Sequence, residues 1–368
     1  MNKLLLSSAV AVLALSAAPA FAQDDSTLKL NLGGHFKGYV NYTDQDDELI
    51  AGSTSGTNDF DILRQTEVHF GGETTLDNGL TVGAQIEAIA DGGESFDLDE
   101  SYVYMAGTWG RVNFGDEDGA AYLLQVAAPS GDDNIDGIRQ FINPINYGTA
   151  GAALSPFYDG GIDYANDIAG NADKITYLTP VYSGFQAGVS YTPTLDTDDV
   201  TVSRGGNGNS LNDATSIDNV WEAALRYEGS FNNVGMILGG GYTFADSDTS
   251  QWNVGGDFDI GAFGLGAVYT QTEASVDGAG ALLGLTDADT VVVGGDYTTG
   301  PFKVGVSYLT SDQDNILEVD RYTGGVIYTY GPGMSFRGSV SYADFDDAPG
   351  AAGDADATSV LLGTQINF

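Results

Sequence analysis

A chain of 368 residues with 12 Lys and Arg against 52 Asp and Glu carries a net charge of −40, which excludes nucleic acid as a partner, because phosphate binding needs cations. It has no cysteine, which excludes a disulfide framework and thiolate metal sites. Its 52 Gly, 20 Tyr and 17 Phe mark a β-rich, turn-rich chain too aromatic to be disordered.

The first residues read as an export signal. Lys3 gives a positive start, Leu4 to Leu15 an apolar segment, and Ala20-Phe21-Ala22 a small-x-small cleavage site. The apolar core is too short for an anchor helix crossing roughly 30 Å of hydrocarbon. Residues 1–22 are therefore expected to be removed, leaving 23–368 as a single domain.

From there, alternation recurs to the end. Leu30, Leu32, Phe36, Val40 and Tyr42 share one parity, and Asn31, His35, Lys37 and Asn41 the other. Val82, Ala84, Ile86 and Ala88 alternate with Thr81, Gly83, Gln85 and Glu87 in the same way. Such segments have the length of tilted membrane-crossing strands. The pattern predicts sixteen: 28–43, 60–76, 79–91, 98–106, 110–116, 173–180, 184–192, 219–229, 234–245, 251–260, 263–274, 287–298, 301–312, 320–330, 334–345 and 357–368. Short Gly, Asn, Asp and Pro turns alternate with longer polar loops at 44–59, 92–97, 117–172, 193–218, 246–250, 275–286, 313–319 and 346–356.

An even strand count with short turns on one side and long loops on the other predicts a transmembrane antiparallel β-barrel of sixteen strands. A soluble sandwich or solenoid also alternates, but it does not require turn length to alternate along the whole chain. In a closed barrel the last strand pairs with the first, so the terminal Phe368 is expected to be held in a ladder. Leu361 is the one apolar residue on the wet face of that last strand.

The cations test the register. Lys29, Lys37, Arg111, Lys174, Arg226, Lys303, Arg321 and Arg337 fall opposite the apolar face, while Arg139 and Arg204 fall in loops. Arg64 shares the parity of Val68 and Phe70, so it joins the wall cations only if a bulge re-aims it or the loop end shelters it. With His35, Glu67, His69, Glu87 and Glu222, these groups are expected to line a water-filled lumen, since sixteen strands enclose more space than side chains fill. The longest loop, 117–172, carries apolar patches at Tyr122–Val126 and Phe141-Ile142 that need a surface. Folded inward, it would narrow the lumen with Asp116, Glu117, Asp118, Asp132, Asp133 and Asp136. An exposed lid or subunit contact is the alternative.

Three stretches carry a family resemblance: GRVNFGDEDGAA at 110–121, DKITYLTPVYSGFQAGVSY at 173–191 and QINF at 365–368. Together they resemble Gram-negative general diffusion porins, closest in pattern to those of α-proteobacteria. The resemblance implies a homotrimer in the outer membrane, in contact with lipid and lipopolysaccharide. It implies a third loop inside each pore, facing basic wall residues, and a C-terminal aromatic read by the barrel-assembly machinery.

The expected function is passive diffusion of ions and small hydrophilic solutes, with cations favoured by the acidic loop. A substrate-selective channel is the alternative, but most aromatics share the outward parity, which disfavours a sugar track. An adhesin or barrel enzyme is a weaker alternative. His35 and His69 are the only histidines, and neither has nucleophile spacing. No cofactor or metal is expected, since no acidic run follows the EF-hand pattern.

Overall fold

The computed structural model describes residues 28–46, 58–90, 97–146, 162–195, 218–245, 249–274, 287–313, 317–346 and 354–368. The expected signal at 1–22, Arg204 and most of the predicted long loops outside 117–172 lie outside the described residues. The strands are β1 Lys29–Gln45, β2 Phe60–Thr75, β3 Thr81–Ile89, β4 Asp97–Gly107, β5 Gly110–Asp116, β6 Asp173–Leu178, β7 Phe185–Thr194 and β8 Asp218–Phe231. They continue as β9 Val234–Ala245, β10 Thr249–Ile260, β11 Phe263–Glu273, β12 Ala288–Thr299, β13 Phe302–Gln313, β14 Leu317–Gly331, β15 Met334–Asp346 and β16 Ala355–Asn367. Each pairs antiparallel with its chain neighbours, and β1 closes the ring on β16. Alternation thus located every strand; the largest displacement is the start of β14, at 317 rather than 320.

Closure extends to the last residue. The Gly34 amide donates to the Phe368 carbonyl at 3.0 Å, and the Phe368 amide donates back to Gly34 at 3.0 Å. Gly34 has φ +148°, and a β-carbon there would lie 3.1 Å from the Phe368 ring. Glycine is what that close, left-handed approach requires.

Short turns follow the expected chemistry. Asn232 and Asn233 hold φ of 48° and 67° between β8 and β9, the conformation that matches the twist of a tight hairpin.

One face of the ring is apolar and exposed, as with Leu30, Leu32, Phe60, Val306 and Leu362. A water-soluble protein does not leave so continuous an apolar surface open. Two sets of aromatic contacts run along this face. Toward the short turns, Phe185 meets Tyr227 at 4.6 Å, Phe263 meets Tyr297 at 4.9 Å and Phe302 meets Tyr328 at 4.9 Å. Toward the loops, Tyr191 meets Trp221 at 4.5 Å, Trp252 meets Tyr269 at 5.0 Å and Tyr308 meets Tyr322 at 4.8 Å. Phe185 and Tyr191, Phe263 and Tyr269, and Phe302 and Tyr308 are each separated by six residues on one strand. Six rises of a strand span about 20 Å. The chain therefore carries two level aromatic girdles bordering an apolar band, the surface of a barrel that spans a membrane.

Removing Thr364–Phe368 should leave the β1 edge open at His35, Phe36, Lys37 and Gly38. Refolding into detergent micelles should then yield no compact band on an unheated gel. Phe368→Leu, which keeps both terminal backbone bonds, should still yield that band.

Candidate functional site

The segment after β5 is described over 117–146 and 162–172 and holds two short helices, α1 Ala120–Leu123 and α2 Asp133–Asp136. It runs along the polar face of the ring over a row of glycines. A β-carbon at Gly188 on β7 would lie 3.0 Å from the Ala120 methyl, and one at Gly239 on β9 would lie 2.8 Å from Val126. Equivalent atoms would meet Val126 from Gly255 at 3.2 Å, Pro129 from Gly266 at 2.6 Å, and Gly131 from Gly305 at 2.9 Å and Gly325 at 2.8 Å. Gly294 on β12 lies against the Pro129 carbonyl more tightly still. Neighbouring strands are about 4.8 Å apart and extended chain advances about 3.3 Å per residue. From Val126 to Gly131 the segment therefore spans β9 to β14 only because Val126 lies against both β9 and β10 and Gly131 against both β13 and β14, close enough that no side chain fits beneath it.

Beyond the glycines, charges hold the segment. Asp136 pairs with Arg321 at 2.6 Å and accepts from Ser307 at 2.6 Å. Arg337 binds Asp132 at 2.8 Å and also pairs with Asp133. The Tyr39 hydroxyl donates to Asp132 at 3.0 Å and accepts from Asn134 at 2.8 Å, and Asn134 donates to Gln365 at 3.1 Å. Asn41 and Thr43 donate to the Pro144 carbonyl at 3.2 and 2.9 Å. Ile135 and Ile142 pack on Tyr39 and Leu361, which explains the apolar exception on the wet face of β16.

These contacts bring the predicted loop acids against the predicted wall cations. Asp132 and Asp136 are fully buried in ion pairs rather than presented to solvent, because a carboxylate withdrawn from water must be matched by a cation. Asp118 pairs with Arg139 at 2.6 Å, and Arg139 also binds Asp167 and lies over the Tyr122 ring at 4.1 Å. Glu117 accepts from Asn113 at 2.6 Å, while Asp116 stays partly exposed at the end of β5. The wall cations serve the same anchoring. Arg226 donates to the Gln125 carbonyl at 2.9 Å, and Lys174 donates to the Glu117 and Gly170 carbonyls, the latter at 2.6 Å. Glu222 accepts from the Ala121 amide at 3.2 Å. Arg111 donates to Asn113 at 2.6 Å and lies 4.0 Å over the Tyr104 ring. Lys37 lies 3.1 Å over the Phe141 ring. Arg64 faces outward. The β1–β2 register runs past it without a bulge, so the pleat keeps it exposed with Ile62 and Phe60.

A different set remains partly exposed on the polar face of β2 to β4: Gln65, His69, Gln85, Glu87 and Glu100, beside the more buried Glu67. Glu87 faces Glu100 directly across the β3–β4 ladder. Two carboxyls so placed resist ionising together, because like charges directly opposite are destabilising. On the same wall His69 Nε2 lies 3.0 Å from Glu67 and 3.1 Å from Glu87, and His35 Nε2 lies 3.8 Å from Glu67.

Residues 9–363 match the family model described as Gram-negative porin. The chain belongs to that family. The family and the closed barrel make it an outer-membrane diffusion pore and point to a channel rather than an enzyme. Among solved structures, this porin is similar to the anion-selective porin from Comamonas acidovorans, with TM-score 0.61 and 17% identity over 93% of this chain and 100% of that one. It is also similar to a mutant Rh. blastica porin, with TM-score 0.59 and 20% identity over 92% of this chain and 100% of that one. At such identities the likeness shows the fold alone. Two uncharacterised Rickettsia proteins match in sequence. RC0098 of Rickettsia conorii is 26% identical over 52% of this porin and 48% of its own length, so the match spans about half of that relative. The protein from Rickettsia felis is 24% identical over 73% of this chain and 76% of its own length.

Burial sets the protonation of the loop. It raises Glu117, Asp118 and Asp163 to about 7, in Asp118 against the opposing pull of Arg139. Burial also pushes Asp133 upward, but Arg337 and Lys303 outweigh it and hold that carboxyl at about 2. The three raised acids bind protons more tightly in the packed loop than in a free one. They oppose packing increasingly as pH rises from about 4 to their folded values. Asp133 favours packing above its free value and stops doing so as pH falls toward its folded one. Packing should therefore be tightest at or slightly below about pH 4. With no native cysteine, a spin label at Asn143→Cys should be least mobile there, and more mobile at pH 8 and at low pH. A mobility that does not change with pH would contradict this balance.

Gly294→Val should lift the segment off the wall, at a cost of about 1–3 kcal/mol. Gly324→Val is the control, because a β-carbon there meets only Val306, at 3.8 Å. The same label should loosen in the first variant and not in the second.

Proposed function

We propose that this porin favours cations, and that the acids of β2 to β4, rather than those of the long loop, set the preference. The carrying observation is Glu87 facing Glu100 beside Glu67 on a wall that stays partly open, while the acids of α2 are matched by Arg321 and Arg337. Carboxylates that imidazoles and amides meet, with no arginine or lysine partner among the described residues, raise the local concentration of cations on a water-filled wall.

We place the long loop inside the barrel, where it narrows the passage. This is supported by its contacts with polar-face groups on β1, β8, β10, β13, β14, β15 and β16. A single segment reaches that many sides of a closed ring only from within. The remaining passage then runs between Phe141 and the wall of β2 to β4.

The assembly is proposed as a homotrimer in lipid and lipopolysaccharide, delivered by an export signal at 1–22 and recognised through Phe368. Outward-facing Arg64, four residues from the loop end of β2, suits a headgroup phosphate better than hydrocarbon, where an arginine costs about 2–4 kcal/mol.

Planar-bilayer recording across a KCl gradient tests the reading. Stepwise ohmic conductance in threes is expected, with a reversal potential on the cation side. Replacing Glu87 and Glu100 together by Gln should move that potential toward zero. An unchanged potential in the double variant would overturn the assignment to this wall, and an absence of conductance would overturn the open pore.

A further inference from the structure

The histidines were expected only to line the lumen, yet the register gathers them with two carboxylates. His35 on β1 stands opposite Glu67 on β2, and His69 on β2 stands opposite Glu87 on β3. Glu67 and His69 are two residues apart, so the pleat turns both to the same face. One donor atom each from His35, Glu67 and His69 fall within 4.8 Å of one another. Within that group Glu67 lies 3.0 Å from His69 and 3.8 Å from His35, and Glu87 adjoins it through His69 at 3.1 Å; these separations bracket the about 3.3 Å between ligands that tetrahedral zinc bonds of about 2.0–2.1 Å demand.

We propose that His35, Glu67, His69 and Glu87 form a binding site for a divalent transition metal, with Zn²⁺ the best match. Two imidazoles with carboxylates select zinc-like ions over Mg²⁺ and Ca²⁺, which favour all-oxygen sites. The geometry at His69 argues further for a metal. Its Nε2 is within reach of two carboxylates, and one ring N–H cannot point well at both, whereas a cation at their meeting point satisfies all three. The outer shell is in place, since Gln85 donates to Glu87 at 2.9 Å and orients it. Gln65 bridges His35 and Glu67 and has to swing aside for His35 to bind. Lys37, two residues along β1 from His35, is drawn toward the Phe141 ring. A bound dication would cancel two wall charges, so the metal would act on the pore's selectivity.

Chelator-treated folded protein in detergent would be titrated calorimetrically with Zn²⁺ in a large excess of Mg²⁺, which saturates weak acidic sites. One Zn²⁺ per barrel is expected. Loss of an outer-shell partner alone weakens a metal site by about 10–100-fold. His35→Ala with His69→Ala should therefore lower the affinity by about tenfold or more, and Gln65→Ala should raise it. Glu67→Gln gives a second test that keeps both imidazoles and should also weaken binding. Compact unheated mobility on a gel confirms folding in each case. Zn²⁺ that Mg²⁺ displaces, or an affinity unchanged in the folded double variant, would overturn the site. The selectivity effect rests on the pore reading and is tested separately: Zn²⁺ should shift the bilayer reversal potential toward zero. Absence of conductance before zinc is added would count against the pore, while calorimetric binding would stand by itself.

Discussion

The structure depends on one constraint, that no backbone amide or carbonyl can be left unpaired in hydrocarbon. A sheet meets it only by closing on itself. Here closure is completed by the β1–β16 ladder and its last pair of bonds between Gly34 and Phe368. Once the ring is closed, the two-residue period assigns every side chain to lipid or lumen. The outer face then needs only apolar bulk with aromatics at two levels. The inner face is free to carry charge.

What the inner face does with that charge follows from desolvation. A long segment laid on the wall removes its own carboxylates from water, and each must meet a cation or give up its charge. Arg321 and Arg337 are consumed in this way by Asp136, Asp132 and Asp133. Where no cation is free, as at Asp163, burial raises the carboxyl to about 7 instead. The segment is thus held by matched pairs, by a floor of glycines and by the apolar contacts of Ile135 and Ile142. On β2 to β4 the carboxylates Glu67 and Glu87 meet His35 and His69 rather than arginine.

The fold was legible because alternation is local. All sixteen strands could be placed from residues within each strand, and the displaced start of β14 reflects a ladder in which Leu317, Glu318 and Val319 still pair with Gln313, Asp312 and Ser311 of β13. Leu361 was legible as an anomaly but not as an anchor, because its partners Tyr39, Ile135 and Ile142 lie far away in sequence. The ion pairs were illegible for the same reason. Arg337 and Asp132 are 205 residues apart, and only the closed register brings them together. The glycine row was hidden among 52 glycines, since nothing local separates a glycine beneath a loop from one in a turn. Arg64 shows the reverse case. Parity alone turned it outward, and the unbroken register keeps it there.

The most direct test of this account is whether the loop lies against the wall at Gln365. The chain has no cysteine, so Asn134→Cys with Gln365→Cys introduces a single pair of thiols where the side chains now meet at 3.1 Å. The folded double variant would be treated with a short bis-thiol reagent, read by intact mass and then recorded in bilayers. The account predicts near-complete cross-linking within one chain and a conductance unchanged by the link. Failure to cross-link in the folded barrel, or a conductance that collapses once the link forms, would contradict it.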